Sequence, residues 1–506
     1  MIVNNKKVQN DPTQEKIKFI LELFNSNKLI ETKKEVDKQL TIYSKSSVLF
    51  NILGAVLAEQ NKLQEALESY NKSIKINPNY AQAYNNLSAC LYKLGKIDEA
   101  NQSYQKAIKI QPNNPDSHNN LGVVFVEQGE REKSITCFQK AIEIQPNHAD
   151  AHYNLGTVFK KLEETQKAIS CFQKAIEIQS NHVNAHNNLG MVFDELGEFQ
   201  KALSCYEKAI EIQPSHSKAH YNLGMVFIKL GERKKAISCF QRTIKIQPNY
   251  TNAYWCLHSF APDIDEALKI LKKLYSIDNK FLKAKIMISA LQGFKGNFND
   301  FDALVASSES NHPHIRSIKW IFSLPQLPKI FFNQWDFFDA VVALTDKSRP
   351  FYEFGVRNGI SFQYLINTFK KGFGFDSFTG LPESWDKVPK GSYSNFGSMP
   401  KITGGEFIVG EFKNTLPEFF SKKKPLASLI NFDADLYSST LCALNYSNKV
   451  IDEKSILIFD EFLMNDKWEK DEYKALNEFC DDFGISYDVL AVSFFSKQVA
   501  VKLKKN

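Results

Sequence analysis

Glu353, Gly355, Gly359, Asp376, Asp433, Asp460 and Glu461 are the residues whose types and spacing could do chemistry. Glu353-Phe-Gly355-Val-Arg-Asn-Gly359 follows a predicted strand and opens a predicted helix. Glycines there let a ligand approach the backbone, and a helix N-terminus offers it free amides. The spacing E-x-G-x-x-x-G is not the G-x-G-x-x-G dinucleotide fingerprint. Asp376 closes the next strand, where a carboxylate can accept from two ribose hydroxyls. Asp433, Asp460 and Glu461 close two later strands. Converging carboxylates repel one another unless something such as a hard divalent cation joins them. Taken singly, each acid also reads as a helix cap or a solvated loop residue. The ordered set is what points to a site.

The elements that must position these residues alternate. Strands are expected at 350–356, 372–378, 407–409, 427–432 and 455–459. Helices are expected at 362–369, from 416, at 439–450 and at 471–483, with a closing antiparallel pair at 487–492 and 498–502. That pattern predicts an α/β domain, a doubly wound, mostly parallel sheet with polar residues just beyond the strand C-termini, where such folds place their sites.

The phrases YEFGVRNG (352–359), FDSFTGLPESW (375–385), TLPEFF (415–420), NFDADLYSST (431–440) and FDEF (459–462) resemble a class I S-adenosylmethionine-dependent methyltransferase. More closely, they are similar to the macrocin O-methyltransferase family, over about residues 340–506. The resemblance implies a seven-stranded Rossmann-like sheet. It implies that Glu353, Gly355 and Gly359 surround the methionine part of the cofactor, that Asp376 binds its ribose, and that Ser377 and Phe378 lie beside the adenosine. Asp433, Asp460 and Glu461 would hold Mg2+ or another divalent cation, and the acceptor would be a hydroxyl of a sugar or similar molecule. Asp433 or Asp435 is the candidate base. A metal-bound carboxylate is a poor base, which counts against Asp433. The sequence departs from the family at Thr379, where an acidic residue is common, and at Asn431, where histidine is common. The insert Glu383–Glu406 is expected to be a substrate lid. The phrase Gly404-Gly-Glu-Phe407 inside it is a coincidental match to a cyclase signature.

The first half of the chain has a different character. Pro78, Pro112, Pro146, Ser180, Pro214 and Pro248 follow one another at a step of 34 residues, as do Gly54, Ser88, Gly122, Gly156, Gly190 and Gly224. A strict period of this length means stacked helix-turn-helix units, none of which can fold alone. Residues 47–250 hold six such repeats, which resemble tetratricopeptide repeats and in particular those of the O-linked N-acetylglucosamine transferases. The expected architecture is therefore an α-solenoid superhelix followed by the α/β domain, with residues 1–46 as a cap or divergent repeat, 251–330 as a helical adaptor and 331–506 as the methyltransferase-like domain. The resemblance implies that Asn86, Asn120, Asn154, Asn188 and Asn222 line a concave, peptide-holding surface. The alternative is that each asparagine bonds within its own repeat.

Bulk properties set the remaining bounds. The formal charge of +6, from 63 basic and 57 acidic residues, is mild for 506 residues and gives no argument for a nucleic-acid partner. The eight cysteines form no CxxC pair, and Cys137, Cys171 and Cys205 recur at the repeat period as core residues. No secretory h-region and no membrane span are visible, so a cytoplasmic setting is the expectation. Two functions remain: an O-methyltransferase whose solenoid recruits a substrate or partner protein, or a non-catalytic interaction scaffold with a degenerate methyltransferase fold.

Overall fold

The computed structural model describes residues 11–384, 388, 390–392, 397 and 399–505. The lid expectation at Glu383–Glu406, and Trp385 in the phrase that ends there, fall partly or wholly outside the described residues. The described chain divides into two compact units. The first runs through Glu195 and takes in Ser204–Pro214; the second takes in Leu196–Leu203 and the chain from Ser215. The division falls within the repeats.

In the first unit the repeats are helix pairs such as Ala149–Lys161 with Thr165–Ile178. The small residues of the period have a steric cause. A Cβ at Gly156 would come within 2.9 Å of the Phe172 ring of the paired helix. A second pair, Gln14–Asn25 and Leu29–Ile42, precedes the regular repeats. Cys137, Cys171 and Cys205 are free and half-buried, and burial pushes each thiol up to about 11.

The second unit begins with the pair Ser217–Lys229 and Arg233–Ile246 and continues through Thr251–His258, Ile264–Ile277 and Leu282–Phe294. It ends in a sheet of eight strands, one more than expected. They are β1 Lys329–Phe331, β2 Phe351–Phe354, β3 Gly372–Asp376, β4 Gly405–Val409, β5 Leu429–Phe432, β6 Ile456–Phe459, β7 Ile485–Ser493 and β8 Val499–Lys505. Their order is β1-β7-β8-β6-β5-β2-β3-β4. Strand β8 runs antiparallel to both β6 and β7, and the other pairings are parallel. The additional strand is β1, which directly precedes the helix Gln334–Val342. Phe331 pairs with Ser493, and the helix begins at Gln334. Three residues, Lys-Ile-Phe, are too short a signal to separate from the helix that follows.

Both faces of the sheet are covered. One shares a core with the adaptor helices, through Leu271, Met287, Ile318 and Phe332. The other packs Trp335, Phe337, Phe338 and Phe362. Phe332, with Trp320 and Phe322 packed beside it, belongs to the first core, and Trp335, Phe337 and Phe338 belong to the second. Within the unit, Trp335 Nε1 donates to Ile228 O at 2.8 Å and Arg233 pairs with Asp336 and Asp339. These bonds fasten the pair that ends at Ile246 to the helix beside β1.

Candidate active site

The end of each central strand is set by a row of phenylalanines. Phe375, Phe354, Phe432 and Phe459 are register partners across β3, β2, β5 and β6. Their rings stack with centroids 4.7, 5.4 and 4.9 Å apart and interplanar angles of 17°, 12° and 10°. Side chains alternate along a strand, so a one-residue slip would send every ring to the opposite face. The next residues in the chain are Asp376, Gly355, Asp433 and Asp460, which therefore stand in one row at the C-terminal edge.

At that edge lies a cavity of about 330 Å³, lined by Gly355, Arg357, Asp376, Ser377, Asp433, Asp435, Ser439, Asp460 and Glu461 among others. It opens where the strand order changes direction. From β2 the chain proceeds outward through β3 and β4, then returns to β5 on the other side of β2. Such a switch point forms a crevice by topology alone. Gly355 shows how narrow this one is. Its φ is +94°, and a Cβ there would stand 1.8 Å from Asp433 O. No L side chain fits that position.

Asp376 is oriented by the backbone. Its Oδ2 accepts from Arg357 N at 2.7 Å and its Oδ1 from Phe378 N at 2.6 Å. A carboxylate has about four acceptor sites, so lone pairs remain for two hydroxyls. Glu353, Gly359 and Phe378 stand outside the cavity lining. Glu353 is fully buried; its Oε1 accepts from Ser361 Oγ at 2.6 Å. Gly359, at φ +76°, precedes the helix Ile360–Phe369 and packs against Pro400 and Ile402. Phe378 is buried in the core of the second face.

The acids beyond β5 and β6 crowd one another. Burial, then the repulsion of Asp460 and Asp435, raises Asp433 well above the carboxylate range. Burial and Glu461 raise Asp435 to about 7, and the same two causes raise Asp460 to about 7. Three residues that the sequence reading missed act on this cluster. Gln498 donates to Asp460 Oδ1, and Lys497 Nζ lies 2.7 Å from Glu461 Oε2. Glu472 accepts from Glu461 N at 3.2 Å and is itself buried, which raises its carboxyl. Only their position beside a hairpin tip or a helix start could have flagged them, and many solvated residues share that position.

The donor set fits a divalent cation in charge but not in arrangement. Among the described residues no three His, Cys, Asp or Glu side chains are disposed to share a metal ion. Asp460 and Glu461 are already engaged by Gln498 and Lys497. The cavity fits a nucleoside better, because a cradle closed to any Cβ adjoins an oriented carboxylate.

In the solenoid the asparagine row bonds mainly between repeats. Asn86 Nδ2 donates to Asn51 Oδ1 at 3.0 Å, Asn154 Nδ2 to Asn119 Oδ1 at 2.9 Å, and Asn188 Nδ2 to the Tyr153 hydroxyl at 3.3 Å. Asn120 accepts from Asn119 beside it at 3.2 Å. All five, Asn222 included, are half-buried. The Asn86, Asn154 and Asn188 donors therefore staple neighbouring repeats.

Family models described as TPR repeat match residues 54–95, 89–129 and 124–163, and models described as tetratricopeptide repeat match 148–215 and 182–249. Among curated proteins nothing matches the chain. Solved structures with similarity include that of MamA, 29% identical over 32% of this chain and 95% of that one, with a TM-score of 0.30. YrrB, titled a TPR protein with an unusual peptide-binding site, is 29% identical over 37% and 96%, with a TM-score of 0.31. A Pseudomonas aeruginosa pilF structure is 18% identical over 40% and 92%, with a TM-score of 0.37. No helix among the described residues is long and apolar enough to cross a membrane. The N-terminal part of the chain, about 250 residues, is a solenoid of tetratricopeptide repeats.

Proposed function

We propose that the C-terminal domain is an S-adenosylmethionine-dependent O-methyltransferase of Rossmann-like fold, acting on a hydroxyl of a sugar, glycan or similar acceptor. The observation that carries this reading is the cavity at the switch point. It gathers Gly355, Asp376, Ser377, Asp433, Asp435 and Asp460 from four strand ends. When bound, S-adenosylmethionine would supply an electrophilic methyl group. Asp376 would accept from the ribose hydroxyls, and the backbone at Gly355 would approach the methionine part. Asp435 is the stronger candidate base. It lines the cavity, and a carboxyl held near 7 can take the acceptor's proton at neutral pH. The acids Asp433, Asp460 and Glu461 are not arranged to share a divalent cation, and no step is assigned to one.

The repeats point to a protein-interaction scaffold, and a peptide or protein is the proposed ligand of the solenoid. A small sugar needs no surface of that size, so an acceptor carried on a protein or peptide fits the chain better. The test is transfer of isotope-labelled methyl from S-adenosylmethionine to free sugars, glycans and glycopeptides. The full chain should label one of these classes, and Asp435→Asn should reduce labelling at least about 100-fold. Equal labelling by the variant would remove Asp435 from the mechanism. No labelling of any class would favour the scaffold reading.

A further inference from the structure

The second unit contains a cation that the resemblance does not account for. The turn between β7 and β8 holds Lys497 at φ +61°, a left-handed conformation that a non-glycine residue adopts at a cost. Several bonds hold it there. Ser496 Oγ donates to Ser493 Oγ at 2.6 Å and is 2.9 Å from Gln498 Oε1; Ser493 N donates to Gln498 O at 2.8 Å. Phe494 N donates to Phe331 O of β1 at 3.0 Å, so the unexpected first strand anchors the turn. The Gln498 side chain is fully buried and reaches Asp460. The result is a lysine whose ammonium lies 2.7 and 3.1 Å from the two Glu461 oxygens. Its charge lowers Asp460, and it lowers Asp435 after the larger effect of Arg357, which lines the cavity.

We propose that the Lys497 ammonium, held on Glu461, is the built-in cation at the Asp460–Glu461 end of this acidic cavity, standing in the place that the resemblance gives to a divalent ion. Glu461, Asp435 and Asp460 have a physical need for a positive charge nearby, because converging carboxylates are costly without one. A short, well-packed turn supplies it from within the chain. Gln498 completes the arrangement by turning Asp460 toward a neutral donor. Lys497 is a positioning residue: it fixes Glu461 and, together with Arg357, sets the field felt by Asp435. The inference needs the acidic cluster and the turn, and it does not require methyl transfer.

The test is thermal melting of the full chain with manganese(II) chloride and, separately, with a chelator, for the wild type, Lys497→Met and Lys497→Arg. The wild-type and Lys497→Arg melting temperatures should not move with either reagent. Lys497→Met should melt lower without metal and recover by at least about 4 °C with millimolar Mn2+, because binding to the folded state raises its stability. A wild-type protein that melts higher with Mn2+ and lower with chelator would overturn the proposal. So would a Lys497→Met protein that melts like the wild type and ignores Mn2+. Should Lys497→Met not fold, the wild-type response to Mn2+ still decides. Binding of S-adenosylmethionine is a separate measurement, so failure here is distinguishable from failure of the methyltransferase reading.

Discussion

The ring of Phe432 lies 4.9 Å from that of Phe459 at an interplanar angle of 10°, and each ring is followed in the chain by an aspartate that its strand delivers to the cavity. The packing of the core thus determines where the acids stand. Phe432→Ala should destabilise the C-terminal domain by about 3–5 kcal/mol, the range for a fully buried aromatic. Phe432→Leu should cost less and keep the register. Urea unfolding followed by tryptophan fluorescence would read both.

Gly355 makes the sharpest steric prediction. Gly355→Ala places a methyl group 1.8 Å from Asp433 O, in a backbone conformation that alanine resists. Either β2 or β5 must shift. We expect a loss of at least about 2 kcal/mol in stability and no detectable cofactor binding. A variant as stable as the wild type would mean that the two strand ends are not this close.

Glu353 and Asn431 are Cα partners on β2 and β5, and Glu353 Oε2 and Asn431 Oδ1 are buried acceptors with no hydrogen-bond partner among the described residues. Burial pushes Glu353 up to about 8 from an ordinary 4.5, so it is protonated at neutral pH. The folded state then binds a proton that the unfolded state has released. Stability from this group is fully present below about 4.5 and is lost as pH rises through about 8. Glu353→Gln should remove that loss. Its unfolding free energy from urea titration, relative to the wild type, should be higher at pH 8.5 than at pH 5, by an amount on the order of a few kcal/mol. Equal differences at the two pH values would contradict it.

The asparagine row predicts a stability effect independent of any ligand. Asn154→Ala removes the donor to Asn119 on the preceding repeat. About 1 kcal/mol should be lost, the ordinary worth of such a bond, and thermal melting of the full chain would show it. Cofactor binding should be unchanged.

Much of this was legible in the sequence. The 34-residue period specified the repeats because every unit must solve the same packing problem with the same small residues, as Gly156 does against Phe172. The strands carrying Asp376, Asp433 and Asp460 were legible because fully buried strands are apolar runs with a polar stop. Three features were not. Strand β1 is three residues long and merges with an amphipathic helix. The engagement of Asp460 and Glu461 comes from a turn distant in sequence, whose Lys497 and Gln498 look like ordinary loop residues. The burial of Glu353 depends on which face of β2 turns inward, and a run such as FYEF, buried throughout, carries no alternation to show it.

The most direct test of the central claim is calorimetric titration of S-adenosylmethionine into the full chain, wild type against Asp376→Ala. The account predicts micromolar binding to the wild type at one site per chain, weakened at least about 30-fold in the variant, as loss of hydrogen bonds to a charged group implies. No binding to a folded wild-type chain, or equal binding by both proteins, would contradict it.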